Sequence, residues 1–373
     1  MSGDDVVREL TWTQVSVPLD RPLQSGALVI EARAYCCVRA VLGDGATGEA
    51  FVLTRGLDVA RALDTLVTPR VVGHPYDDLE RRLRVGLRNV GWDGPISRAV
   101  SAVSLACFDA RARGAGVPAW RLLADTPPAA PEGIAVIGYT PVGEEPDEVG
   151  EAERAAASGA RCVKLMGGFA SAETDLARVA AVRKALGEDC RVALDVNGAW
   201  PADLALDLLP RLAGELAFVE EPWSYELGLA TFDRLGDGAR PGLAFGEVSA
   251  STIELEALAA TGRVDHLRPD ATLVGGPQTF ARLLGRISGV SVMPHFWPEV
   301  HRHLLAPFTG TTYLEYAPAG AGGFGLDRFV DGLATLVDGR IPAPDTPGFG
   351  YRLDWDELTR LADVAPETRK DTA

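Results

Sequence analysis

The amino-acid sequence predicts an α/β barrel that follows a smaller α+β domain. From Ile134 onward, short apolar runs alternate with helix-sized stretches, and there are eight such runs. Eight parallel strands joined by helical crossovers make a (β/α)₈ barrel. The first third of the chain has a different order, with strand-like stretches first and helical patterns after them. At 373 residues, 47% hydrophobic and 24% charged, the chain has the composition of a folded globular protein.

The first third of the chain alternates apolar and polar residues before helical periodicity sets in. Antiparallel strands are predicted at residues 11–17, 27–35 and 49–54, and helices at 58–66, 76–84 and 97–113. The last helix runs into Gly114-Ala-Gly116-Val-Pro118, a strong stop signal. A proline-rich segment at 126–133 then marks a boundary, so residues 1–125 are predicted to form a separate α+β domain.

The barrel prediction covers residues 126–341. Its strand candidates are IAVIGY, CVKLM, RVALDV, LAFVEE, LAFGE, HLRPD, VSVMPH and TYLEY. Helices are predicted between them at 146–157, 172–186, 202–212, 252–260 and 277–288. The Pro- and Gly-rich segment 342–373 is predicted to wrap back over the first domain, with residues 365–373 as a frayed tail.

The composition excludes several classes of function. The formal net charge of −16 argues against non-specific nucleic-acid binding, which needs clustered Lys and Arg. No apolar run is long enough to span a bilayer, and the first ten residues, MSGDDVVREL, do not resemble a secretory signal. We therefore expect a cytoplasmic protein that binds neither nucleic acid nor membrane. The five cysteines form no C-x₂-C pair and are expected to be buried, reduced thiols.

Polar residues stand at the ends of the eight predicted barrel strands. Seven of them are Lys, His, Asp or Glu, and these follow one another at roughly regular spacing. From Lys164 onward their spacings are 31, 25, 27, 23, 25 and 20 residues, about one strand–helix unit each. The carboxyl ends of barrel strands converge on one mouth, where active sites lie. The residues predicted to meet there are Tyr139, Lys164, Asp195, Glu220, Glu247, Asp270, His295 and Glu315.

Three carboxylates on consecutive strands predict a metal site. Asp195, Glu220 and Glu247 would repel one another unless a cation holds them together or some are protonated. An all-oxygen ligand set with room for water and substrate favours Mg²⁺. Asn197, two residues beyond Asp195, is predicted to share its strand face and to support it.

These residues, in this order, carry a family resemblance. Lys164, Asp195-x-Asn197, Glu220-Glu221-Pro222, Gly246-Glu247, Pro269-Asp270 followed by Gly275-Gly276, His295 and Glu315 resemble the mandelate racemase branch of the enolase superfamily. Residues 101–118 resemble the long helix of its capping domain, and residues 347–350 its C-terminal return. The resemblance implies a modified (β/α)₇β barrel under an N-terminal capping domain completed by residues 342–373. It also implies one Mg²⁺ per subunit on Asp195, Glu220 and Glu247, an Asp270–His295 catalytic dyad, and homodimers or octamers.

The chemistry implied is removal of the proton α to a small-molecule carboxylate, giving an enediolate whose charge develops against Mg²⁺. His295 would be the base, and Asp270 would fix its tautomer and stabilise its imidazolium. Glu315, if neighbouring acids keep it protonated, would donate to the substrate carboxylate. Lys164 would neutralise that carboxylate from the side; the alternative for Lys164 is a structural ion pair with the metal carboxylates.

Met166 departs from the family pattern and narrows the reaction. Family members that use a second base often carry Lys-x-Lys on this strand, whereas this chain reads Lys164-Leu165-Met166. A thioether cannot take a proton, so His295 is the evident base, which favours syn-dehydration of an acid sugar to a 2-keto-3-deoxy acid. A racemase, epimerase or cycloisomerase is the alternative, with Tyr139 or Lys164 as second base. A non-catalytic barrel that binds metal and carboxylate is a second alternative.

Substrate contacts are expected from two cap loops over the mouth, at residues 18–26 and 43–48. Polar candidates in the first loop are Asp20, Arg21 and Gln24. Arg268 is a candidate because it lies two residues before Asp270, on the same strand face. Further candidates follow the seventh strand: Trp297, Glu299, His301 and His303. The two histidines alternatively begin a helix.

Overall fold

The structure is a computed structural model, which describes residues 5–25, 28–144, 147–168, 171–318 and 323–371. It contains an antiparallel sheet of five strands, a parallel sheet of eight strands and a two-stranded hairpin. Some expectations fell on residues outside these ranges. They are the first four residues, Gly26, Ala27, Pro146 and the last two residues. No helix within the described ranges has the length and apolar character needed to cross a bilayer.

The N-terminal region forms the antiparallel sheet, with helices packed on it. All six predicted elements are present, with longer strands and a more irregular first helix. The region contains strands β1 (Val7–Ser25), β2 (Leu28–Leu42) and β3 (Thr47–Leu53), helix α1 (Val59–Ala62), a π-helical turn (Leu63–Val67), α2 (Thr68–Val71), α3 (Leu79–Gly86) and α4 (Gly94–Gly114). Short 3₁₀ turns cover Tyr76–Asp78 and Ala119–Leu122.

Helix α4 is the long helix that holds this sheet. Asp93 caps its N-terminus and Pro95 lies in its first turn, where a missing N–H has no cost. Its buried face packs on β2 and β3. The approach is so close at Gly48 that a Cβ there would overlap the backbone of Ala106 and Ala110. The glycine therefore allows α4 to lie directly on β3.

Eight parallel strands form the barrel, and each contains part of one predicted apolar run. They are β4 (Glu132–Ile137), β6 (Cys162–Met166), β7 (Arg191–Asp195), β8 (Phe218–Glu220), β9 (Gly242–Phe245), β10 (His266–Leu267), β11 (Ser291–Val292) and β12 (Tyr313–Tyr316). β12 returns to pair with β4, and a bridge from Val292 to Thr312 joins the other edge. Apolar side chains from alternate positions, among them Cys162, Phe218 and Met293, fill the barrel below its mouth.

Seven crossovers connect the eight strands, which matches the predicted (β/α)₇β order. Six carry α-helices: α5 (Glu148–Ala157), α6 (Ala172–Leu186), α7 (Ala202–Arg211), α8 (Thr252–Ala260), α9 (Pro277–Leu284) and α10 (Pro298–Leu304). The crossover after β8 instead has two 3₁₀ helices, Tyr225–Leu227 and Leu229–Arg234. Gly228, with φ +66°, separates them and prevents one continuous helix.

The C-terminal segment packs on the N-terminal sheet, but its end is not a frayed tail. After a 3₁₀ turn at Leu326–Arg328, the chain forms β13 (Val330–Asp331), β14 (Arg352–Leu353), α11 (Trp355–Leu361) and β15 (Ala362–Lys370). β15 pairs with β1 from Val15–Ala362 to Glu9–Lys370, so the expectation for residues 365–370 is wrong. The edge of β1 supplies the backbone partners that local sequence cannot reveal. The divisions at residues 125 and 341 stay predictions.

The two expected cap loops also differ from prediction. Residues 18–25 continue β1 as a ribbon with β2, and a short strand β5 (Thr140–Pro141) after β4 pairs with Leu23 and Gln24 at the rim of the barrel. The turn at 43–46 lies at the opposite end of the sheet, near Gly114 at the end of α4. In an antiparallel meander, the end of β3 lies opposite that turn, and it is Leu53 and Arg55 that reach the mouth.

Candidate functional site

The predicted ionisable residues meet at the mouth of the barrel. Asp195 and Glu220 are the last residues of β7 and β8, and Lys164 and Glu315 lie within β6 and β12. Glu247, Asp270 and His295 follow β9, β10 and β11 by two or three residues. All seven side chains are buried. Parallel strands that end in one ring place them together although up to 151 residues separate them along the chain.

Three of the carboxylates form a cluster that suits a metal ion. Asp195, Glu220 and Glu247 each offer an oxygen, and these atoms lie within 4.8 Å of one another. Burial raises the pKa of Asp195 and of Glu220. At Glu247 burial acts in the same direction, but His295 and Arg268 outweigh it and lower the pKa. An all-oxygen set of buried carboxylates fits a hard divalent cation such as Mg²⁺, which removes their mutual repulsion.

Two buried cations share this cluster. Lys164 Nζ lies 2.9 Å from Asp195 Oδ2 and 2.7 Å from Glu220 Oε2, and it also pairs with Glu315. Arg268 lies 2.5 Å from Glu220 Oε1, 2.6 Å from Glu315 Oε2 and 3.5 Å from Glu247 Oε2. Four carboxylates thus face two cations, which leaves an excess of two negative charges. That excess equals the charge of one divalent ion.

Lys164 is held as an ion pair at the centre of this network. Burial acts to lower its pKa, but Asp195, Glu220 and Glu315 outweigh burial and raise it well above the ordinary value. Its side chain is 1% exposed, and the carboxylates surround its ammonium group. This geometry favours a structural ion pair of Lys164 with the metal carboxylates. A direct contact of Lys164 with the substrate carboxylate stays a prediction.

The contacts of Glu315 and Arg268 differ from those expected. Glu315 accepts hydrogen bonds from Arg268 and from the Phe296 N–H, and Arg268 and Lys164 outweigh burial to lower its pKa to about 2. These two donors favour a charged Glu315, and a charged carboxylate cannot donate to a substrate carboxylate. The protonated role of Glu315 stays a prediction. Arg268 is fully buried, and its guanidinium group contacts the carboxylates of the cluster rather than the space beside the dyad. Substrate binding by Arg268 stays a prediction.

The dyad has the predicted contact. His295 Nδ1 lies 3.2 Å from Asp270 Oδ2, and His295 Nε2 lies 3.7 Å from Glu247 Oε2. Asp270 also accepts from Trp297 Nε1 at 3.2 Å and from the Thr272 N–H at 2.7 Å. Burial acts to raise the pKa of Asp270, but the hydrogen bond with His295 and the nearby His301 lower it. Asp270 is therefore a fixed carboxylate that orients the His295 ring.

His301 and His303 lie behind the dyad in α10, as the helical alternative predicted. His301 Nδ1 lies 2.6 Å from the Phe296 carbonyl, and its Nε2 accepts from the Ala271 N–H at 3.0 Å. These partners assign the neutral tautomer with the proton on Nδ1. His301 thus ties the loop after β10 to the loop after β11. His303 faces the Phe349 carbonyl, and Glu299 accepts from the Ala334 N–H. None of the three reaches a substrate position.

A cavity of about 120 Å³ lies between the dyad and the cap. On the barrel side it is lined by Glu247, Asp270, His295 and Trp297, so Trp297 lies at the cavity and its contact with substrate stays a prediction. Val248, Thr272 and Leu273 lie beside them, and Leu53, Arg55 and Arg98 come from the cap. The buried Trp297 ring packs edge-on against Tyr35 and Phe51, and its indole N–H donates a hydrogen bond to Asp270.

Sequence reasoning missed Arg55 and Arg98. Arg55 follows the end of β3 in a left-handed turn with φ +51°, and Arg98 lies in the second turn of α4. A non-glycine residue held at positive φ is a marker of functional sites, but it is visible only in the structure. The useful sequence signal is topological: the end of the third strand of a meander lies on the side away from its second turn.

Tyr139 and Met166 stand at the ends of β4 and β6. Tyr139 packs edge-on against Phe324 at 6.4 Å, and burial raises its pKa to about 12. At neutral pH the hydroxyl is thus a donor rather than a base. Met166 is 5% exposed and belongs to the apolar core, so no basic side chain stands at its position.

Three other predicted contacts lie elsewhere. Asp20 and Arg21 are exposed on the β1–β2 ribbon, where Arg21 pairs with Glu144 at 2.8 Å. The side chain of Asn197 is exposed rather than buried beside Asp195. β7 ends at Asp195 and Asn197 turns at φ +46°, so its backbone N–H, not its amide, bonds Asp195 Oδ1 at 3.0 Å. Substrate binding by Asp20, Arg21 and Asn197 stays a prediction.

Fold and site together define a barrel with a carboxylate cluster and a His–Asp dyad at its mouth, covered by an α+β cap. Residues 147–357 match the family model described as enolase C-terminal domain-like. Residues 7–124 match that of the mandelate racemase / muconate lactonizing enzyme N-terminal domain. The chain belongs to the enolase superfamily, in its mandelate racemase branch, as the order of its motifs predicted.

The similar curated proteins are enzymes with several reactions. Over 335 residues the chain is 29% identical to 3,6-anhydro-alpha-L-galactonate cycloisomerase of Streptomyces coelicolor, covering 87% of this chain and 90% of that protein. It is 27% identical to L-talarate/galactarate dehydratase of Salmonella typhimurium, covering 79% and 74% of the two chains. D-galactarolactone cycloisomerase of Agrobacterium fabrum is 27% identical, with 92% and 95% covered.

Solved structures agree on the fold. The L-talarate dehydratase of Polaromonas sp. JS666, complexed with Mg and L-glucarate, has a TM-score of 0.86 at 22% identity, covering 98% of this chain and 99% of that one. A racemase of Streptomyces coelicolor with bound magnesium has a TM-score of 0.84 at 25% identity, covering 96% and 100%. The family therefore holds dehydratases, cycloisomerases and racemases on one scaffold.

Proposed function

We propose that this chain catalyses the Mg²⁺-dependent syn-dehydration of an acid sugar to a 2-keto-3-deoxy acid, with His295 as both base and acid. One observation carries the proposal: His295 is the one histidine among the described residues that line the cavity, and Asp270 orients it. Its Nε2 faces the cluster of Asp195, Glu220 and Glu247, where a substrate carboxylate would bind.

Asp195, Glu220 and Glu247 would hold the Mg²⁺ ion. The donor set and the excess of two negative charges support this, as do the magnesium-bound structures of similar proteins. When bound, Mg²⁺ supplies the positive charge that stabilises the negative charge developing on the substrate carboxylate. Lys164 and Arg268 neutralise two of the four negative charges in the cluster. With Mg²⁺ bound as well, the cluster would not repel the incoming anion.

His295 performs both proton transfers in the proposed reaction. The unprotonated Nε2 takes the α-proton, and Asp270 stabilises the imidazolium that forms, because its carboxylate faces Nδ1 at 3.2 Å. The imidazolium then gives the proton to the β-hydroxyl on the same face. The β carbon–oxygen bond breaks, water leaves, and the resulting enol becomes the 2-keto acid.

The position of Met166 supports a mechanism with one base. A racemase that works from both faces needs a second proton donor opposite His295. Met166 provides none, and the raised pKa of Tyr139, due to burial, leaves its hydroxyl protonated at neutral pH. The ammonium group of Lys164 is tied to three carboxylates. Dehydration on one face needs only His295.

The test is an assay of the Mg²⁺-loaded protein in D₂O with a panel of aldonates and aldarates. We expect 2-keto acid from at least one substrate, and loss of both keto acid and α-proton exchange by about 10²- to 10⁴-fold in His295→Asn. The matched control is His74→Asn, a half-buried histidine outside the mouth, which should keep full activity. Exchange retained in His295→Asn would contradict the proposal by moving the base elsewhere.

A cycloisomerisation is the second candidate, because two of the similar proteins are cycloisomerases at 29% and 27% identity. In such a reaction the same α-proton is removed, but the leaving oxygen stays attached to the product. Mass spectrometry separates the two: dehydration removes one water from the substrate, and cycloisomerisation leaves its mass unchanged. Exchange without either product favours a racemase or epimerase, and Mg²⁺ binding without exchange favours a binding protein. Residence in the cytoplasm and assembly into dimers or octamers stay predictions.

A further inference from the structure

Two arginines of the cap face the cavity and have no role in the proton transfers. Arg55 and Arg98 line its outer wall, across from Asp270 and His295. They come from different elements, the turn after β3 and the second turn of α4. Two cations therefore line a cavity whose barrel side already holds Glu247 and the dyad.

Arg98 is fixed by one side of its guanidinium. Its Nε donates to the Leu53 carbonyl at 2.9 Å, which leaves the terminal nitrogens directed away from that bond. Burial lowers the pKa of Arg98, Asp270 opposes this, and Arg55 adds to it. Two groups of like charge thus line one cavity, with Arg98 half-buried and Arg55 exposed.

Arg55 is held by its backbone. Its φ of +51° and that of Gly56, +81°, form a tight turn closed by the Gly56 N–H on Thr54 Oγ1 at 3.3 Å. Within the part of the chain that the structure describes, neither Arg55 nor Arg98 forms an ion pair with a carboxylate. Two like charges placed together are unfavourable unless an anion joins them.

We propose that Arg55 and Arg98 bind a second carboxylate at the far end of the substrate, so that the preferred substrate is a dicarboxylic sugar acid, an aldarate. The inference rests on the proposed function, which places the reacting carboxylate at Asp195, Glu220 and Glu247. The planar, multiply donating guanidinium groups match a carboxylate better than a terminal hydroxyl. On a chain of net charge −16, these cations also offset the repulsion of a dianion.

The test measures binding apart from turnover. Galactarate and galactonate differ only in the group at the far end, a carboxylate in one and a hydroxymethyl in the other. Calorimetric titration of both into the Mg²⁺-loaded His295→Asn variant, which does not turn over, gives the ratio of their dissociation constants. We expect galactarate to bind at least about tenfold more tightly, the strength of one charge-assisted hydrogen bond.

Substitution of the arginines should remove this preference. Arg55→Gln and Arg98→Gln, each in the His295→Asn background, should weaken galactarate roughly tenfold and leave galactonate within about twofold. Arg61→Gln, an exposed arginine on α1, is the matched control and should change neither. If Arg98→Gln does not fold because the Leu53 contact is lost, Arg98→Lys is the second variant. It keeps the positive charge and should retain part of the preference for galactarate. The preference should also weaken with added salt.

A ratio near one, a ratio unchanged by Arg55→Gln, or no binding of either acid at millimolar concentration overturns the inference. Proton exchange by the wild-type protein reports separately on the proposed function. Absence of exchange with the arginine-dependent ratio intact refutes the dehydratase and supports the second-carboxylate site. Exchange with galactonate and galactarate bound equally does the reverse.

Discussion

The two sides of the barrel mouth handle charge in opposite ways. Towards β6 and β12, each buried carboxylate has a cationic partner, Lys164 or Arg268, and both cations are at most 1% exposed. Towards β10 and β11, His295 faces a cavity that the cap arginines line. The first side is a network of ion pairs without a cavity, and the second leaves one ring nitrogen of a histidine facing the cavity. Stability and proton transfer are thus carried by different residues of one ring.

The largest effect on stability is expected from breaking the network of ion pairs. Arg268→Met leaves Glu220, Glu247 and Glu315 without their shared cation, and removal of one partner of a buried ion pair costs about 3–5 kcal/mol. Urea unfolding followed by circular dichroism measures the change. Arg81→Met, which breaks an exposed pair with Asp78, is the control and should leave the free energy of unfolding nearly unchanged, because water screens an exposed pair. Equal losses in both variants would contradict a central role for Arg268.

Metal should stabilise the protein through the excess charge at Asp195, Glu220 and Glu247. At a free Mg²⁺ concentration a hundred times the dissociation constant, we expect a gain of about 2.7 kcal/mol, seen as a higher melting temperature than in EDTA at matched ionic strength. Glu247→Gln should reduce the gain, whereas Glu226→Gln, at an exposed carboxylate, should not. A gain that survives Glu247→Gln would place the ion elsewhere.

A second contrast is between His303, which is buried behind the mouth and supports the fold, and His295, which faces the cavity. Burial lowers the pKa of His303 from its ordinary value of 6.5 to about 3. As the pH falls below 6.5, the unfolded chain takes up a proton that the folded chain refuses, so stability is lost progressively down to about pH 3. At pH 5 the loss should be about 2 kcal/mol. His303→Gln should flatten the stability–pH curve between these values, and an equally steep curve in that variant would contradict the assignment.

The smallest effect on stability is expected at the cap arginine. Arg55 is exposed and makes no ion pair within the described residues, so Arg55→Gln should change the free energy of unfolding by no more than about 0.5 kcal/mol. The same variant is predicted to lose its preference for a dicarboxylate. A large loss of stability in Arg55→Gln would show that this residue belongs with the network of ion pairs.

Strand ends could be predicted because a barrel converts regular sequence spacing into spatial convergence. The meeting of the metal carboxylates follows from that rule, whereas the pairing of Asp270 with His295 was implied by the family resemblance. It failed at Asn197, where β7 has ended, the backbone turns and the two-residue period no longer applies. This failure came from extending a strand by inference past the point where its backbone pairing stops.

The cap was harder to predict because its contacts are long-range. Nothing near Arg55 or Arg98 in sequence indicates a cavity, since its other wall comes from residues beyond 247. The local composition of residues 365–373 suggested fraying, yet β15 pairs along β1. Register between distant strands depends on which edges remain available after the sheet has formed, and a single sequence does not show that.

The pairing of β1 with β15 orders events during synthesis. Arg8 and Asp371, which form an ion pair across these strands, lie 363 positions apart. The ribosome therefore makes β1 before the barrel and β15 after it, so this edge of the cap sheet stays uncovered while the barrel is made. An uncovered edge strand is a template for pairing with other chains. Nascent or truncated chains that lack residues 362–370 thus carry an open aggregation edge that the finished protein has closed.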